Sequence, residues 1–590
     1  MDIQYKKAPQ AQELSAFEGY LQEEKDFKTY QKDIPCQEAC PASTNVPHYI
    51  QAISEGDYNK AYHINLEDNV FPGVLGRICT RPCEKACRYN WTNTEKPVQI
   101  CHLKRYAADQ TNDNIEAPAS LFEESGFKVA VIGGGPAGLT TARQCRRFGH
   151  QISLYEKEAE PGGMLKDGIP EFRLPRSVLN KEIDLILGTG INIKTNQFID
   201  KDKLKQIIDE YDAVIIATGT SLPRNINLKN QKDIPNIIDG LSFMKNYNQG
   251  KIRNLEGNVV VIGGGFTAVD CARSCARAAR KILGSKNDVT IVYRRSEHFM
   301  SAELEELEEI REENIVIRTL CSPIRFEYHG NTLTGVSFQQ NRLEKNKDSD
   351  KPKMIPIEDG EFTLNGSTVI YAIGQEQDYS LTDGIEINTN QRTSLAKVFT
   401  AGDFCTGGLD VVHAVAQGKD VAMKVDQFLM GKKRCDIAIQ VELLKEDDVT
   451  HRTRHHDLQP QRAMHTLPIL KRSENMEVET GFTPQEINKI STRCYLCQHK
   501  FEIDQDKCIH CNWCIDVAPR NCIKAVSRIF YHADGSLKTY IETDKEHEAT
   551  YIFIDSDECI RCGKCLRVCP TEAISVRKME RKTHFFRKSF

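Results

Sequence analysis

The sequence predicts a multidomain α/β chain: two Rossmann-like nucleotide-binding folds in tandem, set between a helical cysteine-rich N-terminal domain and a small α+β cysteine-rich module. Three observations predict it. Residues 129–156 read VAVIGGGPAGLTTARQCRRFGHQISLYE, a strand, glycine turn, helix, strand and acid in that order. A closely similar order returns at residues 259–295. The 22 cysteines crowd the ends, six within residues 36–101 and ten within residues 494–569.

In the first stretch, the apolar run 129–132 reads as a buried parallel strand, and Gly133-x-Gly135-x-x-Gly138 follows it. Gly133 permits a tight turn, Gly135 lets backbone approach a pyrophosphate, and Gly138 lets the helix pack close to the strand. The helix N-terminus offers free N–H groups and partial positive charge to phosphates. Glu156, after the strand 151–155, stands where a carboxylate accepts ribose hydroxyls. An ordinary tight turn is the alternative, and the complete context weighs against it.

The second stretch carries Gly263-x-Gly265-x-x-Ala268, with alanine for the third glycine. Its strand 289–293 ends in Arg294-Arg295, where the first ends in an acid. Guanidinium groups suit a 2′-phosphate through bidentate bonds. The pair therefore favours NADP over NAD, with a solvated basic strand end as the alternative.

A chain of 590 residues allows roughly three or four domains. A net charge of −5 is too near balance for a nucleic-acid partner. No apolar run approaches the ~18 residues of a membrane helix. The opening residues hold no secretory signal, so a cytoplasmic location is expected. Cysteine abundance in such a chain argues for metal sites over a disulfide scaffold.

The N-terminal cysteines read Cys36-x3-Cys40 and Cys79-x3-Cys83-x3-Cys87. Thiolates one helical turn apart can converge on a soft metal centre. Cys40, Cys79, Cys83 and Cys87 supply the four that a 4Fe–4S cluster needs, leaving Cys36 and Cys101 over. Zinc and buried free thiols are the alternatives.

Around these cysteines, CQEACPASTNVPHYIQAI, NVFPGVLGRICTRPCEKAC and PVQICHLKRYAAD resemble a family. They are similar to the N-terminus of glutamate synthase small subunits. Dihydropyrimidine dehydrogenase and the large subunit of the bifurcating NADPH–ferredoxin transhydrogenase share that module. The resemblance runs through residues 34–432 and implies a helical iron–sulfur domain before tandem FAD and NAD(P) domains. It makes the first nucleotide fold the FAD half. It places residues 161–175, with Gly163, over the flavin, Thr218-Gly219 on the return strand, and Gly402-Asp403 as the late flavin motif meeting the ribityl chain. The helix that follows would face the isoalloxazine with its positive end. Tyr293 to Ser296 and Met300 to Glu303 match the family around the nicotinamide. Disulfide reductases of this fold carry a redox cysteine pair beside the flavin. Here that segment holds only Cys145, while Cys271 and Cys275 read as packed on a helix. Electrons would leave through iron–sulfur sites instead.

The C-terminal residues resemble a two-cluster bacterial ferredoxin. Cys559, Cys562, Cys565 and Cys569-Pro570 form a complete run, while Cys508, Cys511 and Cys514 are followed by Ala518 where a cysteine is expected. In that module the fourth cysteine of each run ligates the other cluster. Cys508, Cys511, Cys514 and Cys569 thus make one set, and Cys522 is the nearest substitute to complete Cys559, Cys562 and Cys565. A zinc ribbon or a degenerate module is the alternative. Cys494-x2-Cys497 matches an RCxxC pair that the family usually carries near its N-terminus. There the pair joins the equivalent of Cys36 in a second cluster, whose fourth ligand can be a non-cysteine side chain near the position of Cys101. Folding could return the pair to Cys36 and create a fourth cluster; a local pair packed on the ferredoxin module is the alternative. The basic tail 577–590 reads as a solvated end or a docking strip.

The expected domains are a helical iron–sulfur domain (1–124), an FAD domain (125–245 and 368–435), an NAD(P) domain (246–367), a linker (436–493) and a ferredoxin-like 4Fe–4S module (494–590). The expected function is an NAD(P)H:acceptor oxidoreductase passing electrons between NAD(P)H, FAD and three or four 4Fe–4S clusters. Its acceptor would be ferredoxin or a partner redox enzyme, in a hetero-oligomer. A bifurcating subunit and a non-catalytic iron–sulfur relay are the alternatives. The cofactors do the chemistry, so no catalytic side chain is expected.

Overall fold

The computed structural model of the chain describes residues 33–91, 96–111, 115–228, 230–252, 255, 257–283, 288–302, 304–345, 353–388, 390–444, 459–531, 537–545 and 547–586. Residues 1–32, Glu303, residues 445–458 of the expected linker and the last four residues of the tail lie outside these. The chain divides into two compact units. One comprises residues 116–429 and 464–481; the other comprises 1–115, 430–463 and 482–590.

The first unit holds two five-stranded parallel sheets. One runs in the order Val398–Thr400, Ala213–Ile216, Lys128–Ile132, Gln151–Tyr155, Asn192–Lys194. Its central strands read as continuous apolar runs because helices cover both faces of a parallel sheet. Ala130, Ile132, Val214 and Ile216 enter one core cluster. Each fully buried aliphatic side chain stabilises the fold by about 1.5–3 kcal/mol. The other sheet runs Ile237–Asp239, Thr368–Tyr371, Val259–Ile262, Val289–Tyr293, Val316–Thr319. It reaches past the expected bounds 246–367 on both sides, because Ile237–Asp239 pairs in parallel with Thr368–Tyr371. Cys271 and Cys275 pack into its core, fully buried.

Part of the expected linker belongs to this unit. His465–Thr466 pairs with Glu479–Gly481, and between them Arg472 binds Glu313 at 3.1 Å and Glu312 at 2.7 Å. Glu313 also receives Arg273 and Arg277, at 2.9 and 2.8 Å.

The second unit starts with short helices opened by proline. Pro35–Glu38, Pro72–Ile78 and Pro82–Lys85 each carry proline in the first turn, where the missing N–H has no partner to lose. The C-terminal cysteine loops repeat one plan. Strand His499–Ile503, a cysteine loop, helix Trp513–Val517 and strand Ile523–Tyr531 are matched by Tyr551–Ile554, a cysteine loop, Lys564–Val568 and Ile574–Phe585. The basic tail is not a solvated end within the described residues. Residues to Phe585 form the middle strand of a sheet, between Cys435–Leu443 and His499–Ile503. Ile574, Val576 and Met579 are buried, while Arg577 and Arg581 reach carboxylates of Glu502 and Asp68. None of the 22 cysteines is in a disulfide. Among the described residues no helix is long and apolar enough to cross a membrane.

Candidate cofactor sites

Four distant segments meet at the N-terminus of helix Pro136–Arg147. Gly133 leaves its strand at φ +107°, and a Cβ there would lie 2.5 Å from the carbonyl oxygen of Ala217, beside Thr218 and Gly219. A Cβ on Gly138 would lie 1.9 Å from the carbonyl oxygen of Gly133, so only glycine allows this helix so close. A Cβ on Gly163 would press on the Cα of Gly135 at 2.9 Å, and one on Gly402 would meet Ala137 at 2.6 Å. Gly135 itself faces open space, with nothing within 4 Å of a Cβ. No side chain caps the helix. Open room in front of free N–H groups fits a pyrophosphate.

Glu156 is buried beside this cradle. Its Oε2 accepts the Gly134 N–H at 2.7 Å and its Oε1 accepts the Glu158 N–H at 2.9 Å. Burial pushes Asp403 up to about 6, with the Leu409 N–H bond opposing and Asp410 adding to the rise.

The second fold repeats the cradle. A Cβ on Gly263 would lie 2.3 Å from the carbonyl oxygen of Ala372, while Gly265 faces open space. Ala268 is fully buried, its methyl taken up in the core. Arg294 and Arg295 are exposed at the strand end. The nearby Glu297 is paired with Arg311 at 2.5 Å.

The terminal cysteines gather in four groups within one unit. The side chain of Cys101 acts on the ionisation of both Cys79 and Cys83, and the charge of Cys40 acts on Cys83. Lys104 is buried among these four thiols, which offset the effect of its burial and hold its pKa above the usual value. Burial, then the charges of Cys497, Cys87, Cys494 and Cys40, push Cys36 far up. Burial also pushes Cys87 up to about 11, with the Val98 and Tyr89 N–H bonds opposing and Cys497 adding to the rise.

This grouping differs from the expected one. Cys87 stands with Cys36, Cys494 and Cys497, and Cys101 takes the place foreseen for Cys87. Spacing along a single helix would align Cys79, Cys83 and Cys87. Instead Cys79 ends one helix in extended geometry, Arg81 turns left-handed at φ 55°, and Cys87 lies beyond the end of Pro82–Lys85.

In the ferredoxin-like module one cavity is lined by Cys508, Cys511, Cys514 and Cys569 together with Ile503 and Ile574. The side chains of Cys522 and Cys559 act on each other's ionisation, and the charges of Cys565 and Cys562 act on Cys522. Cys522, with the Arg561 guanidinium, draws Cys559 below the usual thiol value against its burial. Among the described residues no three such side chains converge as ligands of one ion; the groups rest on contacts and charge effects between thiols. Four buried thiols that repel one another's ionisation are what a bound cationic iron core would relieve.

The Cys494 pair shares a backbone device with the ferredoxin loops. Leu496, His510 and Arg561, each just before the second cysteine of its CxxC, are left-handed at φ 49°, 54° and 65°. The Leu496 N–H points at Cys494 Sγ and the Arg561 N–H at Cys559 Sγ, both at 3.4 Å. Sequence reasoning missed Lys104, Arg88 and Arg561 as buried cations near the thiols; an arginine inside Cys559-x2-Cys562 was the available signal.

Comparison with known proteins agrees with this assembly. The family described as "Pyridine nucleotide-disulphide oxidoreductase" matches residues 127–418, "Dihydroprymidine dehydrogenase domain II, 4Fe-4S cluster" matches 23–115, and "4Fe-4S dicluster domain" matches 507–573. The "NADP(+)-dependent formate dehydrogenase subunit beta" of Moorella thermoacetica is 32% identical over 78% of this chain and 70% of its own length. The "NAD-dependent dihydropyrimidine dehydrogenase subunit PreT" of Escherichia coli O157:H7 is 32% identical over 68% of this chain and 93% of its own. The chain belongs to this family of iron–sulfur flavoprotein oxidoreductases. A further relative, the "NADPH-Fe(3+) oxidoreductase subunit beta" of Geobacter sulfurreducens (strain DL-1 / KN400), is 29% identical over 78% of this chain and 75% of its own. As a member of the family, the chain is an NAD(P)H-dependent oxidoreductase with FAD and 4Fe–4S clusters as cofactors. The resemblance and the multidomain α/β fold class read from the sequence are borne out.

Proposed function

We propose that the chain is the NADPH-handling subunit of a larger redox assembly, with four 4Fe–4S clusters and an acceptor carried by a partner. The gathering of all sixteen terminal cysteines into four groups of four carries this reading. Cys40, Cys79, Cys83 and Cys101 would hold one cluster. Cys36, Cys87, Cys494 and Cys497 would hold a second, and Cys508, Cys511, Cys514 and Cys569 a third. Cys522, Cys559, Cys562 and Cys565 would hold the fourth. When bound, FAD exchanges a hydride with the nicotinamide and the clusters carry single electrons.

The residues supply binding and orientation. Gly133, Gly135, Gly138 and Gly163 leave room for the flavin nucleotide's pyrophosphate, with Glu156, Thr218, Gly219, Gly402 and Asp403 around it. Gly263, Gly265 and Ala268 do the same for the nicotinamide nucleotide, and Arg294 and Arg295 take its 2′-phosphate. The relatives' names divide between NADP and NAD, so the arginine pair supports the choice of NADP. Those names also point to different reactions, of formate, ferric iron and dihydropyrimidine, for subunits similar to this chain. A shared electron-handling subunit with a partner that sets the acceptor accounts for that. Ferredoxin or another redox enzyme fits as partner, and a cytoplasmic setting, where thiols stay reduced, suits a chain this rich in cysteine. Anaerobic mixing with NADPH tests the reading: the flavin band should bleach, and NADH at equal concentration should act far more slowly. No bleaching by either would overturn it.

A further inference from the structure

The cysteine-rich unit contains a polar junction that neither the flavin fold nor thiol ligation requires. Arg88 follows Cys87 directly. Its Nη1 donates to the Cys559 carbonyl at 2.7 Å and to the Ser556 and Asp557 carbonyls at 3.1 and 3.3 Å. Its Nη2 donates to the Asp33 carbonyl at 3.1 Å, three residues ahead of Cys36. Arg561, between Cys559 and Cys562, is fully buried. Its Nη2 donates to Ser556 Oγ at 2.7 Å and to Asp33 Oδ1 at 3.3 Å. Asp33 also meets Lys500 at 3.4 Å.

Buried guanidinium groups are costly unless satisfied. Here both lie among residues of two thiol groups: Cys36, Cys87, Cys494 and Cys497 on one side, Cys522, Cys559, Cys562 and Cys565 on the other. The charges of Cys497 and Cys559 act on both arginines. The carboxylates that face the junction are Asp33, Glu502, Asp555 and Asp557.

We propose that Arg88 and Arg561 are positioning residues that hold these two thiol groups against each other and give both a shared buried positive charge. The proposal rests on the four-cluster reading above. A four-thiolate cluster is anionic, and its reduction potential follows net charge and hydrogen bonds to its sulfurs. Removing either guanidinium charge should therefore make both clusters harder to reduce. Neither arginine is adjacent in sequence to a cysteine of the Cys40 or Cys508 groups, and those two should not respond.

The test uses the full-length holoprotein with Arg88→Met, Arg88→Lys, Arg561→Met and Arg561→Lys. Iron analysis and redox titration followed by low-temperature EPR are the readouts. Wild-type iron well below about sixteen per chain would count against the four-cluster reading itself. With that count in place, the methionine variants should keep their iron and lower the midpoint potentials of two clusters, leaving two unmoved. The lysine variants should move them less. Unchanged potentials, or an equal fall in all four, would overturn the proposal. If a methionine variant loses iron, a loss of about eight per chain supports the joint and a loss of about four or of all sixteen overturns it.

Discussion

The guanidinium carbon of Arg493 lies 4.3 Å from the ring centroid of Tyr89. Arg493 precedes Cys494, and Tyr89 lies two residues after Cys87. The same arginine donates Nη1 to the Pro97 carbonyl at 2.9 Å and Nη2 to the Lys96 carbonyl at 2.8 Å, and Tyr495 stacks on Tyr89 at 5.3 Å. A desolvated cation–π contact is worth about 2 kcal/mol. A cysteine pair late in the sequence is thereby fastened to the N-terminal helices.

The thiol grouping predicts two separable lesions. Cys101→Ala should damage the cluster of Cys40, Cys79 and Cys83, while Cys87→Ala should damage that of Cys36, Cys494 and Cys497. EPR of the oxidised proteins should show a 3Fe species or a missing cluster, with different surviving signals in the two variants. Identical surviving signals would mean that both cysteines serve one site.

Nucleotide choice should turn on Arg294 and Arg295. Replacing both by glutamate should raise the Michaelis constant for NADPH far more than for NADH. Each lost charge-assisted bond is worth about 1.5–3 kcal/mol, roughly ten- to a hundredfold. Equal effects on the two nucleotides would refute a 2′-phosphate contact there.

Cys522 should be the substitute for the cysteine missing at Ala518. Cys522→Ala is expected to lower iron content or leave a 3Fe signal, with Cys508, Cys511, Cys514 and Cys569 undisturbed. An unaltered iron count and spectrum would place the fourth ligand elsewhere.

The nucleotide-binding unit should be acid-sensitive through Glu313. Burial works to raise its pKa, but Arg273 and Arg277 hold it down at about 2, from 4.5 when free. Such a depressed carboxyl contributes stability above pH 4.5 that is lost as pH falls to about 2, in total about 3 kcal/mol. Glu313→Ala leaves three arginines without their central partner and should cost about 3–5 kcal/mol. Urea unfolding of holoprotein at several pH values measures both; a variant with the wild-type acid profile would contradict this role.

Much of this was legible in the sequence because it rests on local rules. The glycine turns need strand, glycine and helix in order, and all three are written within thirty residues of Gly133 and Gly263. The ferredoxin loops likewise carry their spacing locally. The partnership of Cys101 with Cys79 was not legible, since it depends on the left-handed turn at Arg81 and on the packing of helix Pro72–Ile78 against helix Ile100–Asp109. The strand reaching Phe585 was hidden by its lysines and arginines, which read as solvated until Glu502 and Asp68 are seen to receive them. Arg472 looked like linker for the same reason: its partner Glu313 lies far back in the chain.

The central claim is that both ends of the chain build one cluster site, and iron analysis of two proteins tests it most directly. The wild-type holoprotein should hold about sixteen irons per chain, four for each four-thiolate cluster. The variant Cys494→Ala with Cys497→Ala should hold about twelve, with Cys36 and Cys87 left without a cluster between them. An equal count in the two proteins would contradict the account.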